Sequence, residues 1–401
     1  MEIREGYKNT ELGTIPEDWA IVQFVDVMDG FSSGQTPYRE IKEYYTGDIP
    51  WITSGELNYN VINETIEKIT KKAAKNTNLK TIPIGTFLFA ITGLEAAGTR
   101  GSCAITGIEA TTNQSCMALY PKKGKLITPY LYHFYIRYGN ELAFKYCQGT
   151  KQQSYTGGIA KTIPIIIPPT IYEQTAISAA LSDTDALISS FEKLIIKKRN
   201  IKQGAMQELL KPKDSWEEKH LTDYVDFIHG KAHERDINEN GIYTVVNSKF
   251  ISSDGLIAKF SNKNYCPAKK DDVLTVLSDL PNGKALAKCF LVTENNKYTV
   301  NQRVCIWRSK KSYPKFLFYI LNRNKYFIGL DDGVSQTHIL NHHILKCRIS
   351  APTEFGEQVR IATILSDMDS EITALETKLI KYKMIKQGMM QNLLTGKIRL
   401  V

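Results

Sequence analysis

Apolar positions along the 401-residue chain follow two periods that alternate twice. Short β-rich runs come first, TFLFAI at 86–91 and TIPIIIP at 162–168, and then again DVLTVL at 272–277 and LKCRISAP at 345–352, with Gly, Asn, Asp and Pro between them. Each set contains an apolar-aromatic run entered through a proline, TPYLYHFYI at 128–136 and YPKFLFYIL at 313–321. A first helical turn tolerates proline there, so both runs are expected to be helices. Each set then gives way to helical spacing. Leu365, Met368, Ile372, Leu375, Leu379 and Tyr382 recur at steps of 3, 4, 3, 4 and 3, the seam of a coiled coil. Leu181, Ile188, Phe191 and Ile195 keep the same register in the earlier stretch, where Thr184 and Lys198 interrupt it. A second stripe, Leu187, Leu194 and Ile201, is expected to widen that apolar face. Thr170-x-x-Glu173 forms a capping-box pattern at the start of the first helical stretch, and the second stretch lacks that spacing.

The alternation is an internal repeat. Residues 173–210 align on 357–394 without a gap, and 19 of 38 positions are identical, including EQ, LSDxD, KQG and MQxLL. Further back the match weakens: Gly149-x-x-Gln152 against Gly333-x-x-Gln336 and Pro168 against Pro352 at an offset of 184, TTNQSC (111–116) against TVNQRV (299–304) at 188, and Trp19 against Trp216 at 197. Offsets that grow toward the N-terminus fit a colinear duplication that lost loops from one copy. A helix through all 38 residues would be about 57 Å long at 1.5 Å per residue, and alone it could not hide its apolar face. The two helices are therefore expected to pack on each other, antiparallel, as a spacer. The expected fold is α+β, with two mixed α/β globular domains separated by a long antiparallel two-helix coiled coil in a pseudo-two-fold internal repeat. The expected boundaries are 1–170, a helix at 171–212, 213–353, and a second helix with tail at 354–401.

Composition narrows the function classes. Hydrophobic residues make up 42% and charged residues 23%, and no apolar run is long enough to span a membrane, so a globular cytoplasmic protein without membrane attachment is expected. Seven scattered cysteines with no C-x-x-C spacing point to reduced, mostly buried thiols. The net charge of +9 is mild for a nucleic-acid binder. No phosphate-binding GxxxxGK[ST] loop and no strand–Gly-rich loop–helix cofactor signature is present. Glu40-x-Lys42 lacks the acidic partner of a nuclease motif. His229 and His233 stand four apart around Gly230 and read as loop polar groups rather than zinc ligands, as do His338, His342 and His343 at a domain edge. No metal, cofactor or catalytic residue is expected in this chain.

The order of globular part, EQ…LSDxD…KQGxMQxLL helix, then the same again ending in LLTGKIRL (393–400), resembles the specificity subunit of type I restriction-modification systems across essentially the whole chain. GYKNTELGTIPEDW (6–19) and IPWITSGEL (49–57) are similar to the start of such a subunit's first target-recognition domain, and VVNSKF (245–250) stands where WITSGE does in the second. The resemblance implies that each globular part reads one half of a split, asymmetric site on double-stranded DNA. It implies that the helices space the domains and bind two copies of a modification (methyltransferase) subunit, to which restriction subunits are added. S-adenosylmethionine, ATP and Mg would belong to those partners. Near-identity of IKQGAMQELL (201–210) and IKQGMMQNLL (385–394) then has two readings: equivalent faces for one partner, which would include Lys202, Gln203, Met206, Lys386, Gln387 and Met390, or C-terminal contacts of the helix pair itself.

Base readout needs Arg, Lys, Asn, Gln and similar side chains at base edges. Polar or basic, Gly-flanked segments beside predicted strands are the candidates. They are Thr53, Ser54, Thr92, Thr99, Arg100, Lys151, Gln152, Gln153, Ser154 and Tyr155 in the first domain. In the second they are Asn247, Ser248, Lys249, Ser278, Asn282, Lys284, Ser335, Gln336, Thr337 and His338. Asn113-Gln114 and Asn301-Gln302 recur in both copies and read as structural amides. An interaction scaffold with two protein-binding domains is the rival reading, separated from the first by salt-dependent, sequence-selective DNA binding.

Overall fold

The computed structural model describes residues 5–96, 98–149, 153–280, 283 and 285–400. The chain divides into two compact units, Met1–Glu192 with Thr377–Val401, and Lys193–Glu376. Two helices of 39 residues, Ile171–Leu209 and Phe355–Leu393, each contribute one half to each unit.

In the first unit a five-stranded sheet is built from β1 (Met28–Ser33), β2 (Asn60–Ile62), β3 (Phe87–Ala90), β4 (Cys103–Thr106) and β5 (Cys116–Pro121), in the spatial order β1-β5-β3-β4-β2. All four residues of β3 are buried, which is why TFLFAI shows no alternation: a central strand covered on both faces has no polar side. The proline-entered helix Thr128–Tyr146 covers this strand, with Tyr135 edge-on to Phe87 and Phe89 at 5.5 and 5.3 Å. A smaller sheet centres on Ile49–Ile52, parallel to Thr111–Thr112 and antiparallel to Glu67–Ile69.

The second unit repeats the plan. Strands β6 (Val225–His229), β7 (Val273–Val276), β8 (Cys289–Leu291) and β9 (Val304–Ser309) lie in the order β6-β9-β7-β8, the same permutation as β1-β5-β3-β4. Tyr243–Val246 is parallel to Tyr298–Val300 and antiparallel to Lys259–Ser261, matching the smaller sheet of the first unit. The repeat holds to single residues. Ala20 pairs with Ile167 and Gln23 with Pro164, while Glu217 pairs with Ala351 and His220 with Arg348, so offsets of 197 and 184 convert one antiparallel pair into the other.

The long helices pack antiparallel within each unit. Lys386–Asp185 at 2.6 Å, Lys383–Glu192 at 2.7 Å and a Phe191–Tyr382 stack at 5.4 Å join them in the first unit. Lys202–Asp369 and Lys198–Glu371 do so in the second. Leu181, Ile188, Ile195, Leu365 and Ile372 are buried, and Phe191, Met368, Leu375, Leu379 and Tyr382 are half-buried, as the seam requires. The second stripe differs from expectation: Leu187, Leu194 and Ile201 are 36%, 37% and 47% exposed. A two-helix contact shelters little beyond its seam positions, so the flanking stripe stays in solvent. Thr170 caps the first helix through the Glu173 amide at 3.1 Å, but the Glu173 carboxylate turns to Arg399 instead of completing the box. Among the described residues no helix is long and apolar enough to cross a membrane.

Candidate nucleic-acid interface

The smaller sheet and the loop after Gly333 converge in the second unit. At the end of Tyr243–Val246, Asn247 caps the short helix Ser248–Ser252 by accepting the Phe250 amide at 2.9 Å, which places Ser248 and Lys249 at the rim. Gly333 takes a left-handed φ of 71°, and Asp332 then accepts the Val334 and Ser335 amides, so the chain reverses sharply. Beyond that turn Thr337 and His338 bridge antiparallel to Asp279 and Ser278, and Gln336 donates to the Ser278 hydroxyl at 3.0 Å. These segments enclose a cleft of about 790 Å³. Of the residues expected to read DNA, Asn247, Ser248, Lys249, Ser278 and Gln336 line it. His338 is exposed beside it, whereas Thr337 is buried and its hydroxyl donates to Asp331 at 2.9 Å.

Two cations the sequence reading did not select also line the cleft, Lys259 and Arg303, and both are exposed. Glu234 and Asp279 are its acidic members, and both are internally committed. Hydrogen bonds from Gln302 first, and then from backbone amides and Asn301, hold the Glu234 carboxyl below the usual carboxylate range. Asp279 accepts the Ala285 and Leu286 amides at 2.7 and 3.1 Å. Asn301 and Gln302 are thus structural amides, as expected. In the first unit Asn113 accepts the Ser115 amide at 3.0 Å and Gln114 accepts from Thr36, which gives the same role.

The first unit reproduces the frame with different chemistry. Thr92 bridges Ser154 as Ser278 bridges His338, and Gly149 has a φ of 100°. Thr53 caps the turn Ser54–Glu56, with its hydroxyl on the Glu56 carboxylate at 2.9 Å, and Ser54 is half-buried at the rim. The Arg100 guanidinium is spent on the loop, donating to the Leu94 carbonyl at 2.8 Å and to Gln153 at 3.2 Å. Tyr155 departs from the expected surface role: it is 3% exposed and packs on Phe89 at 5.9 Å. Side chains alternate along an extended segment, so with Ser154 at the rim the next residue points inward. Lys151, Gln152, Asn282 and Lys284 lie outside the described residues.

On the helices, the lysine and methionine of each IKQG repeat contact the chain itself. Lys202 ion-pairs with Asp369 and Lys386 with Asp185, each lysine of KQG meeting the second aspartate of LSDxD on the other helix. Met206 packs against a core with Trp216 and Leu365, and Met390 is buried in the first unit's core. Gln203 and Gln387 remain exposed. The histidines make polar contacts: His229 meets Asn341 at 2.8 Å, and buried His233 meets the Lys231 carbonyl and the Thr299 hydroxyl. Among the described residues no cluster of three or more His, Cys, Asp or Glu could hold a metal.

In this duplicated α/β chain the second unit's cleft gathers amides, hydroxyls and cations. The sequence profile of the type I restriction modification DNA specificity domain matches residues 16–199 and 213–382, and the chain belongs to that family. The MjaIX type I restriction enzyme specificity subunit of Methanocaldococcus jannaschii is 34% identical over 191 residues, which is 47% of this chain and 42% of that subunit. The chain thus spans less than half the length of that relative. The MjaVIII specificity subunit of the same organism is 25% identical, with 98% of this chain and 96% of that subunit covered. Among solved structures, the type I restriction-modification S subunit from M. genitalium shares the fold with a TM-score of 0.63 over 98% of both chains, at 15% identity.

Proposed function

We propose that this chain is the DNA sequence-recognition subunit of a type I restriction-modification complex and carries no catalysis of its own. Its two domains read the two halves of a split, asymmetric target. The helices set the spacing and dock two copies of a modification subunit, to which restriction subunits add. S-adenosylmethionine, ATP and Mg act in those partners. The observation that carries this reading is the second unit's cleft, where candidates from segments as far apart as 247 and 336 line one cavity with Lys249, Lys259 and Arg303. Hydroxyls and amides beside cations supply both phosphate attraction and base-edge hydrogen bonding. Exposed helix positions available to a partner include Gln203, Gln387, Ile201 and Ile385.

The test is competitive binding of duplex DNA by the chain assembled with its modification subunit, measured between about 50 and 200 mM salt. Selective binding of one duplex family with a steep negative salt slope is expected. Salt-independent or sequence-blind binding would instead favour a protein-binding scaffold.

A further inference from the structure

Superposing the two copies by their strand pairings shows where they differ at equivalent positions. Val245 pairs with Lys259 as Trp51 pairs with Glu67, so Lys259 stands where the first unit has Glu67. There Glu67 is neutralised by both terminal nitrogens of Arg39 at 2.6 and 2.8 Å, and the same guanidinium stacks 4.9 Å over Trp51. Asn301 donates its amide to Val246 and Asn113 to Ile52, at 3.0 and 2.9 Å. Two residues on, Arg303 therefore stands where the first unit has Ser115. Lys249 follows Asn247-Ser248 where Gly55 follows Thr53-Ser54. Among the described residues, the three cations of the second cleft thus fall on positions that are Glu, Ser and Gly in the first.

Resting on the DNA-recognition reading above, we propose that Arg303 is a specificity-determining residue, contacting a guanine in the half-site read by the second domain, with no counterpart in the first. Four observations carry it. Its backbone is fixed beside the frame, since the Arg303 carbonyl accepts the Leu277 amide at 2.9 Å. The preceding side-chain amides, Asn301 and Gln302, both donate to Glu234, whereas Arg303 lines the cleft and is exposed. It is exposed in a cleft it shares with Gln336 and Ser248. Lys249 and Lys259 line the same cleft and are exposed, so phosphate attraction there does not depend on Arg303 alone. A guanidinium matches the O6 and N7 acceptors of guanine with two parallel N–H donors, a geometry that lysine cannot copy.

The experiment compares R303K, R303Q and the unaltered chain, each assembled with its modification subunit, by binding to a panel of duplexes with every base tested at each half-site position. The expected result for both variants is a roughly tenfold to hundredfold loss of discrimination at one guanine of one half-site, with the other half-site unchanged. R303K should keep most of the affinity for non-cognate duplexes, because it keeps the charge. A uniform weakening in R303Q with a shallower salt slope, fully restored in R303K, would make Arg303 a phosphate contact and overturn the proposal. Unchanged discrimination in both variants would overturn it as well. If the unaltered chain showed no sequence preference, the DNA-recognition reading would fail before Arg303 came into question, so the two failures are distinguishable.

Discussion

Replacing Arg399 by Met should destabilise the first unit far more than replacing its counterpart Lys213 destabilises the second. Arg399 donates to Glu173 at 2.5 and 2.9 Å and to both oxygens of Asp18 at 2.9 Å, and its guanidinium lies 5.7 Å over the Trp19 ring. Lys213 makes the matching contacts in the second unit, 2.7 Å from Glu357 and 5.8 Å over Trp216. The geometry is shared, but the burial is not. The Glu173 side chain has no exposure in its pair, whereas Glu357 retains 19% and Lys213 47%. Removing one partner of a buried ion pair costs about 3–5 kcal/mol because the other charge is left desolvated. Arg399 is itself 29% exposed, so water reaches part of the site and reduces the expected cost to about 2–3 kcal/mol. The Asp18 arm is half exposed and adds about 0–1 kcal/mol. For K213M the expected cost is below about 1 kcal/mol.

The assay is urea unfolding followed by tryptophan fluorescence and circular dichroism, because each unit carries two of the four tryptophans, Trp19 and Trp51 against Trp216 and Trp307. A chain with two units need not unfold in one step, so each transition is fitted separately. The expected R399M result is an early first-unit transition, equivalent to a fall in Tm of roughly 4–12 °C. The double variant R399M/E173Q should recover about 2 kcal/mol, since the orphaned carboxylate is gone. An R399M transition within about 0.5 kcal/mol of the unaltered chain, or zero coupling to Glu173, would show that the buried Glu173 charge does not depend on Arg399.

Three further outcomes follow from the same geometry. K386D should lower stability by about 0.5–1 kcal/mol and K386D/D185K should regain part of it, because that pair is only partly exposed; thermal unfolding of the four members of the cycle measures it. Burial pushes the His133 imidazole down to about 4, so the neutral ring is the folded form, and protonation of the unfolded chain costs stability as pH falls from about 6.5 through 4, by up to about 3 kcal/mol. Stability should be flat above pH 7 in this respect, and H133Q should lose the acid-side slope in chemical denaturation. Inserting one heptad, about 10.5 Å of helix, into both long helices should change the gap between half-sites while leaving their sequences intact, as read by methylation mapping. An altered half-site at constant gap would contradict the spacer role.

Much of this architecture was legible because it is written twice. Trp19 with Trp216 and Pro168 with Pro352 marked the ends of strand pairs that the structure then joins in the same register. The asparagine-glutamine pairs are recognisable as structural because they recur, while the residue after them differs, Ser115 against Arg303, and only the fold places Arg303 on the cleft. Lys259 and Glu67 are equivalent only through strand pairing, which no local spacing reveals. Tyr155 lies inside, against the sequence expectation, because the strand phase around Ser154 is set by its bridge to Thr92, 62 positions away. Arg399 could not be read at all: its partners lie 226 and 381 residues earlier. The exposed stripe at Leu187, Leu194 and Ile201 shows the limit of periodicity, which finds an apolar face but not whether anything covers it.

In the proposed function two different domains of one chain read two different half-sites. Its most direct measurement is co-expression with a cognate modification subunit, followed by genome-wide mapping of methylated adenine by single-molecule sequencing. One split, asymmetric motif with a fixed gap between its halves is expected. A continuous or palindromic motif, or no methylation from a complex that assembles stably, would contradict it.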